Sequence, residues 1–127
     1  MGRKNYLIDT NVAIYYFGRA LSKESEKYID QILVGKYFIS VINRIELLGF
    51  KAINKNESEA ISSFIANSTI FDLDENIIVE TIQIRKNYNI KLPNAIIAAT
   101  CLVNSCSLIT NNIRDFERIE GLHLIKL

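Results

Sequence analysis

Four polar residues fall where a predicted strand gives way to a helix or just beyond it: Asp9, Glu46, Asn94 and Asp115. Asp9 ends the apolar run Tyr6-Leu7-Ile8 and is followed by Thr10 and Asn11, residue types that favour caps and turns. In open α/β sheets ligands bind outside the carboxyl ends of the strands, which makes an acid at the end of the first strand a site candidate. The same acid would also serve as the N-cap of the helix that follows. Three acids and an amide gathered at one sheet edge repel one another unless basic partners or a cation sit among them. Donors that are all oxygen suit a hard divalent ion, Mg²⁺ or Mn²⁺.

The elements that must position these residues follow from hydrophobic periodicity. After the first strand, residues 12–17 read as a short helix closed by Gly18, and residues 22–33 as a second helix opened by Ser22 and stopped by Gly35. Residues 37–42 begin as a second buried strand, and Ser40 or Asn43 can cap the helix that carries Arg44-Ile45-Glu46-Leu47-Leu48. Ile45, Leu47, Leu48 and Phe50 surround Glu46 with apolar residues, which places it inside the domain, where a carboxylate needs a partner. A helix over 57–66 with Ala60, Ile61, Phe64 and Ile65 inward, a strand over 69–73 and a helix over 75–87 with Ile78, Ile82 and Ile84 inward come next. Pro93 suits the start of a further helix, and the alanines behind it permit close packing. Strands at 107–110 and 123–127 complete the chain, with a short helix between them. Strands alternating with helices imply parallel pairing, hence a three-layer α/β/α domain with a central parallel sheet of four to five strands.

With 127 residues, 49% of them apolar, the chain has the size of a single domain, 1–127, able to bury a core without staples. Fifteen basic and 14 acidic side chains leave a net charge of +1, which neither demands nor excludes a nucleic-acid partner. Cys101 and Cys106 have no zinc-spaced partner, and His123 stands alone; two thiols buried in a reducing compartment are the expectation. The longest apolar run, residues 95–103, is interrupted by Thr100 and is too short to span a bilayer. Arg3 and Lys4 before an apolar stretch look like a leader, but Asp9 and Asn11 interrupt it; Met1-Gly2 lacks a myristoylation serine or threonine, Tyr6 standing there. A cytoplasmic protein is expected.

In this order, Leu7-Ile8-Asp9-Thr10-Asn11, the helix-borne Glu46, the stretch from Lys91-Leu92-Pro93-Asn94 to Ala99, and Leu108-Ile109-Thr110-Asn111-Asn112-Ile113-Arg114-Asp115-Phe116 resemble the PIN domain, in particular the compact VapC-type toxins of bacterial toxin–antitoxin pairs. The resemblance runs over essentially the whole chain. It implies an endoribonuclease dependent on Mg²⁺ or Mn²⁺, with Asp9, Glu46 and Asp115 as metal ligands and Thr110 and Asn112 as a supporting polar pair. It also implies a homodimer and an antitoxin partner.

One position departs from the family: Asn94 stands where aspartate is usual. An amide is a neutral ligand and cannot act as a base. Three readings stay open: Asn94 orients a water, it weakens the site, or it is a substitution that disarms a toxic nuclease. An amide capping the following helix is compatible with each. Arg44, Lys91 and Arg114 lie close in sequence to the site residues and are candidates for RNA phosphates, although each alone reads as a solvated charge. Tyr15, Tyr16 and Phe17 suit either base stacking or packing in a dimer or antitoxin groove. The alternative function is a catalytically silent PIN module that binds RNA or a protein. A receiver-like or phosphatase-type domain using Asp9 as phosphoacceptor would need a lysine and a second acid beside it, and residues 5–12 supply neither.

Overall fold

Residues 4–127 are described by a computed structural model. Met1 to Arg3, on which part of the leader and myristoylation reading falls, lie outside the described residues. In chain order the elements are β1 (Asn5–Ile8), α1 (Thr10–Phe17), α2 (Lys23–Leu33), β2 (Phe38–Ser40), α3 (Val41–Gly49) and α4 (Lys55–Asn67). They continue with β3 (Thr69–Phe71), α5 (Glu75–Asn87), α6 (Leu92–Asn104), β4 (Cys106–Thr110), α7 (Ile113–Phe116) and β5 (Leu124–Lys126). The strands form a sheet of order β3-β2-β1-β4-β5, parallel throughout.

The period-two alternation of strand side chains divides the interior into two layers. Leu7, Phe38 and Leu108 point to the face covered by α5 and α6, where they meet Ile77, Ile84, Ala95 and Ala98. Ile8, Ile39 and Ile109 point to the other face, against Val12, Ile29, Ile32, Ile61 and Phe64 of α1, α2 and α4. Register makes the division consistent across strands, since Leu7 pairs with Phe38 on one side and Leu108 on the other, and Ile8 with Ile109. Each of these fully buried aliphatic side chains contributes about 1.5–3 kcal/mol over leaving it in water. A charge placed at Leu7 or Ile109 would break a layer.

Helix starts follow local capping chemistry. Ser22, Asn54 and Asp74 each accept the backbone N–H three residues on, opening α2, α4 and α5. Ser40 and Asn43 close a reciprocal capping box at α3. On α5 the inward face is Ile77, Thr81 and Ile84, with Ile78 36% and Ile82 48% exposed. The expectation that Ile78 and Ile82 face the core is thus corrected; six of the helix's residues, between Ile77 and Ile84, are apolar or β-branched, and the phase is decided by which of them meets α6.

The connections leaving β1 cover one face and those leaving β3 cover the other, and they return to opposite sides of β1. The crevice between the carboxyl ends of β1 and β4 is the switch point where such sheets open a site. Asp9 and Thr110 stand at its two lips.

Candidate active site

Asp9 follows β1 directly, with its backbone N–H bonded to the Ile109 carbonyl of β4 at 3.0 Å. It is 6% exposed. Its Oδ1 accepts the Thr10 N–H at 2.9 Å as the N-cap of α1, while its Oδ2 accepts the Thr110 hydroxyl at 2.8 Å. The two oxygens of Asp9 thus have separate partners, one in the cap of α1 and one across the crevice on β4. Thr10 continues outward: its Oγ1 donates to Glu46 Oε1 at 2.6 Å and accepts from Asn43 Nδ2 at 2.9 Å.

On the β4 side, Thr110 Oγ1 accepts the Asn112 N–H at 2.9 Å, and Asn112 Nδ2 donates to Asp115 Oδ2 at 2.9 Å. Asn94 Nδ2 donates to the same oxygen at 3.2 Å. Glu46, Thr10, Asp9, Thr110, Asn112, Asp115 and Asn94 are thus joined in one hydrogen-bonded chain crossing the crevice. All four residues singled out from the sequence, and the supporting pair Thr110 and Asn112, belong to it.

Two expectations are corrected. Glu46 is exposed rather than inside the domain, because α3 turns Asn43 and Leu47 inward and leaves Ile45 63% and Leu48 57% exposed beside it. An apolar neighbourhood in sequence was here a surface one. Asn94 does not cap α6: Lys91 is the N-cap, without a side-chain cap bond, and the Asn94 amide in the first turn is spent on Asp115. Sequence reasoning missed Thr10 and Asn43 as members of the network. Thr10 next to Asp9 and Asn43 one helical turn before Glu46 were visible signals, read only as turn and cap residues.

Burial raises the Asp9 carboxyl above its ordinary range; the hydrogen bonds from Thr110 and Thr10 pull it down, and the nearby charge of Glu46 raises it further. Its partners are all neutral, and the ion pair found among the described residues, Lys55 with Glu59, is elsewhere. A buried carboxylate without a counter-charge is a place where a cation gains energy. Donor chemistry therefore fits a hard divalent ion at Asp9 and Glu46, both oxygen donors with lone pairs to spare. Among the described residues, however, no three His, Cys, Asp or Glu side chains gather closely enough to hold a metal ion. Asp115 is tied instead to two amides.

Arg44, Lys91 and Arg114 are exposed. Tyr15 is 46% exposed, whereas Tyr16 and Phe17 line a cleft of about 670 Å³ together with Glu26, Asp30 and Glu57, and none of the four site residues lines it. The Tyr16 hydroxyl donates to Asp30, and burial together with that carboxylate pushes its pKa up to about 12. Three acids against the one cation Arg19 make this cleft a poor place for RNA, so base stacking by Tyr16 and Phe17 finds no support in their surroundings. Cys101 and Cys106 are buried free thiols, both pushed up by burial, Cys106 to about 11. His123 Nδ1 pairs with the Ser107 hydroxyl at 2.7 Å, away from the acids. No described helix is long and apolar enough to cross a membrane.

A doubly wound parallel α/β domain with an acid and amide network at its central switch point defines a class. Within it, a PIN domain family model matches residues 6–122, so this chain belongs to the PIN domain family. Among solved structures, VapBC2 from Rickettsia felis bound to a promoter DNA fragment is similar at TM-score 0.80 and 22% identity, over 97% of this chain and 98% of that one. DNA-bound VapBC from Salmonella typhimurium aligns at TM-score 0.79 and 23% identity over 98% of each chain. A toxin–antitoxin complex from Klebsiella pneumoniae aligns at TM-score 0.74 and 27% identity, over 94% of this chain and 95% of that one. Among curated protein sequences none matches significantly.

Proposed function

We propose that this single domain is a VapC-type toxin nuclease, an endoribonuclease dependent on Mg²⁺ or Mn²⁺ that acts in the cytoplasm. The observation that carries the reading is the buried Asp9 carboxylate, linked through Thr10 to Glu46 with only neutral partners. Asp9 and Glu46 would hold the cation directly, with Asp115 reaching it only through water. When bound, such an ion neutralises charge on phosphoryl oxygens and lowers the pKa of water. Thr10 and Thr110 orient Asp9 and oppose the rise that burial gives its carboxyl, Asn94 and Asn112 hold Asp115, and the exposed Arg44, Lys91 and Arg114 offer charge to flanking RNA phosphates.

Family membership and three toxin–antitoxin neighbours support an antitoxin partner. Exposed apolar side chains on α3 (Ile45, Leu48) and α5 (Val79, Ile82) support a protein-covered surface and a homodimer. The acid-lined cleft beside Tyr16 and Phe17 favours a polypeptide there over RNA. The test is cleavage of RNA with and without Mn²⁺ by the wild type and Asp9→Asn. Metal-dependent cleavage that Asp9→Asn abolishes is expected, and cleavage unchanged in that variant overturns the assignment.

A second reading, a catalytically silent PIN module, is favoured by one observation: one oxygen of Asp115 already accepts from both Asn94 and Asn112. Calorimetric titration separates the two, because a silent module shows no saturable Mn²⁺ binding.

A further inference from the structure

Asn43 is the amide side chain found fully buried among the described residues, at 0% exposure, and both of its ends are used. Its Oδ1 accepts the Ser40 N–H at 2.8 Å, and its Nδ2 donates to Thr10 Oγ1 at 2.9 Å, 33 residues away in the chain. The orientation of the amide is not ambiguous. A backbone N–H can only donate, so it selects the amide oxygen and leaves the nitrogen to face Thr10.

A hydroxyl carries one proton and two lone pairs. Because Asn43 Nδ2 can only donate, the Thr10 oxygen must accept from it, and the single Thr10 proton is free to point at Glu46 Oε1, 2.6 Å away. Asn43 thereby fixes the direction of a hydroxyl that is itself 7% exposed. Glu46 is exposed, and an exposed glutamate samples several rotamers unless something holds it.

We propose that Asn43 is a positioning residue for Glu46: by donating to Thr10 it aims the Thr10 hydroxyl, which locks the Glu46 carboxylate beside Asp9 in the orientation the site uses. The capping box at the start of α3 and the active site are then the same amide seen from its two ends. As a statement about cation binding this rests on the metal-dependent nuclease reading; as a statement about Glu46 it does not.

The decisive variant is Asn43→Asp, which keeps an oxygen for the Ser40 N–H and replaces the donor facing Thr10 by an acceptor. The Thr10 proton then has two acceptors and Glu46 loses its exclusive claim. An added acid would by charge alone tighten cation binding, so the expected fall in Mn²⁺ affinity, about 10–100-fold as for other supporting residues of metal ligands, has the opposite sign. Thr10→Val should produce a fall of the same size with no charge change, Thr10→Ser should restore binding, and the double variant should be no worse than either single one. Wild-type affinity in Asn43→Asp, or additive losses in the double variant, overturns the proposal. A readout that needs no metal accompanies it: side-chain carbon relaxation of Glu46 should report a rigid carboxylate in the wild type and a mobile one in Asn43→Asp and Thr10→Val. Equal mobility in all three refutes the positioning role. A wild type that binds no Mn²⁺ refutes the metal reading alone and leaves Asn43 to be judged by the relaxation data.

Discussion

The two lips of the crevice solve the same problem in different ways. On the β1 side, Asp9 is buried and its hydrogen bonds come from a backbone N–H and a threonine hydroxyl, while a second carboxylate, Glu46, stands one hydroxyl away. On the β4 side, Asp115 is half-buried and one of its oxygens takes two amide donors, from Asn94 and Asn112. Hydroxyls hold a carboxylate while leaving room for a second acid; amides hold it by occupying the place of one. The β1 side has a buried carboxylate with only neutral partners, and on the β4 side the amides of Asn94 and Asn112 both face the one Asp115 oxygen.

The most severe way to break this contrast is to neutralise the buried carboxylate. Asp9→Asn should reduce metal-dependent RNA cleavage by about 10³-fold, the rate equivalent of roughly 4 kcal/mol. The same change should raise the melting temperature of the metal-free protein at neutral pH. The folded state holds the Asp9 carboxyl above its ordinary value, so it binds that proton more readily than the unfolded chain does. Stability linked to Asp9 is accordingly full below the unfolded value and is lost as pH rises through the folded one. Thermal unfolding followed as pH rises from the ordinary carboxylate value should show this slope in the wild type and its removal in Asp9→Asn.

Severing the link between the lips is the next largest effect. Thr110→Val removes the donor to Asp9 and the acceptor of the Asn112 N–H while keeping the side-chain shape. Stability should fall by about 1–3 kcal/mol in denaturant unfolding, and Mn²⁺ affinity by about 10–100-fold in calorimetry. Making the lips alike sharpens the contrast instead. Asn94→Asp replaces a donor to Asp115 by a like charge, and should destabilise the metal-free protein by about 1.5–3 kcal/mol, with Mn²⁺ restoring the loss in a thermal shift assay. An unchanged melting temperature would mean that the amide carries no part of the charge balance at Asp115. The smallest effects belong to the exposed cations: Arg44→Ala, Lys91→Ala and Arg114→Ala should each weaken RNA binding a few-fold and lower the slope of log affinity against log salt by about 0.7.

Much of this arrangement is legible in the sequence, for reasons that can be named. The period-two strands at Leu7-Ile8, Phe38-Ile39 and Leu108-Ile109 announce a sheet buried on both faces, and the polar residue after each, Asp9, Ser40 and Thr110, marks its carboxyl edge. Helical phase is less legible where apolar residues go most of the way round. Ile45 and Leu48 argued for a buried Glu46, and Ile78 and Ile82 for an inward face, yet all four are exposed. Composition cannot separate a helix face turned to the core from one free to meet a partner. Nor does a capping residue declare a second allegiance: Asn43 and Thr10 satisfy local rules completely, and only the approach of α1 and α3 shows where their remaining hydrogen bonds go.

The β1–β4 pairing has a consequence for the order of events in the cell. It joins Asp9 to Thr110 across 101 residues of chain, so in the cell the crevice gains its second lip only when β4 docks beside β1.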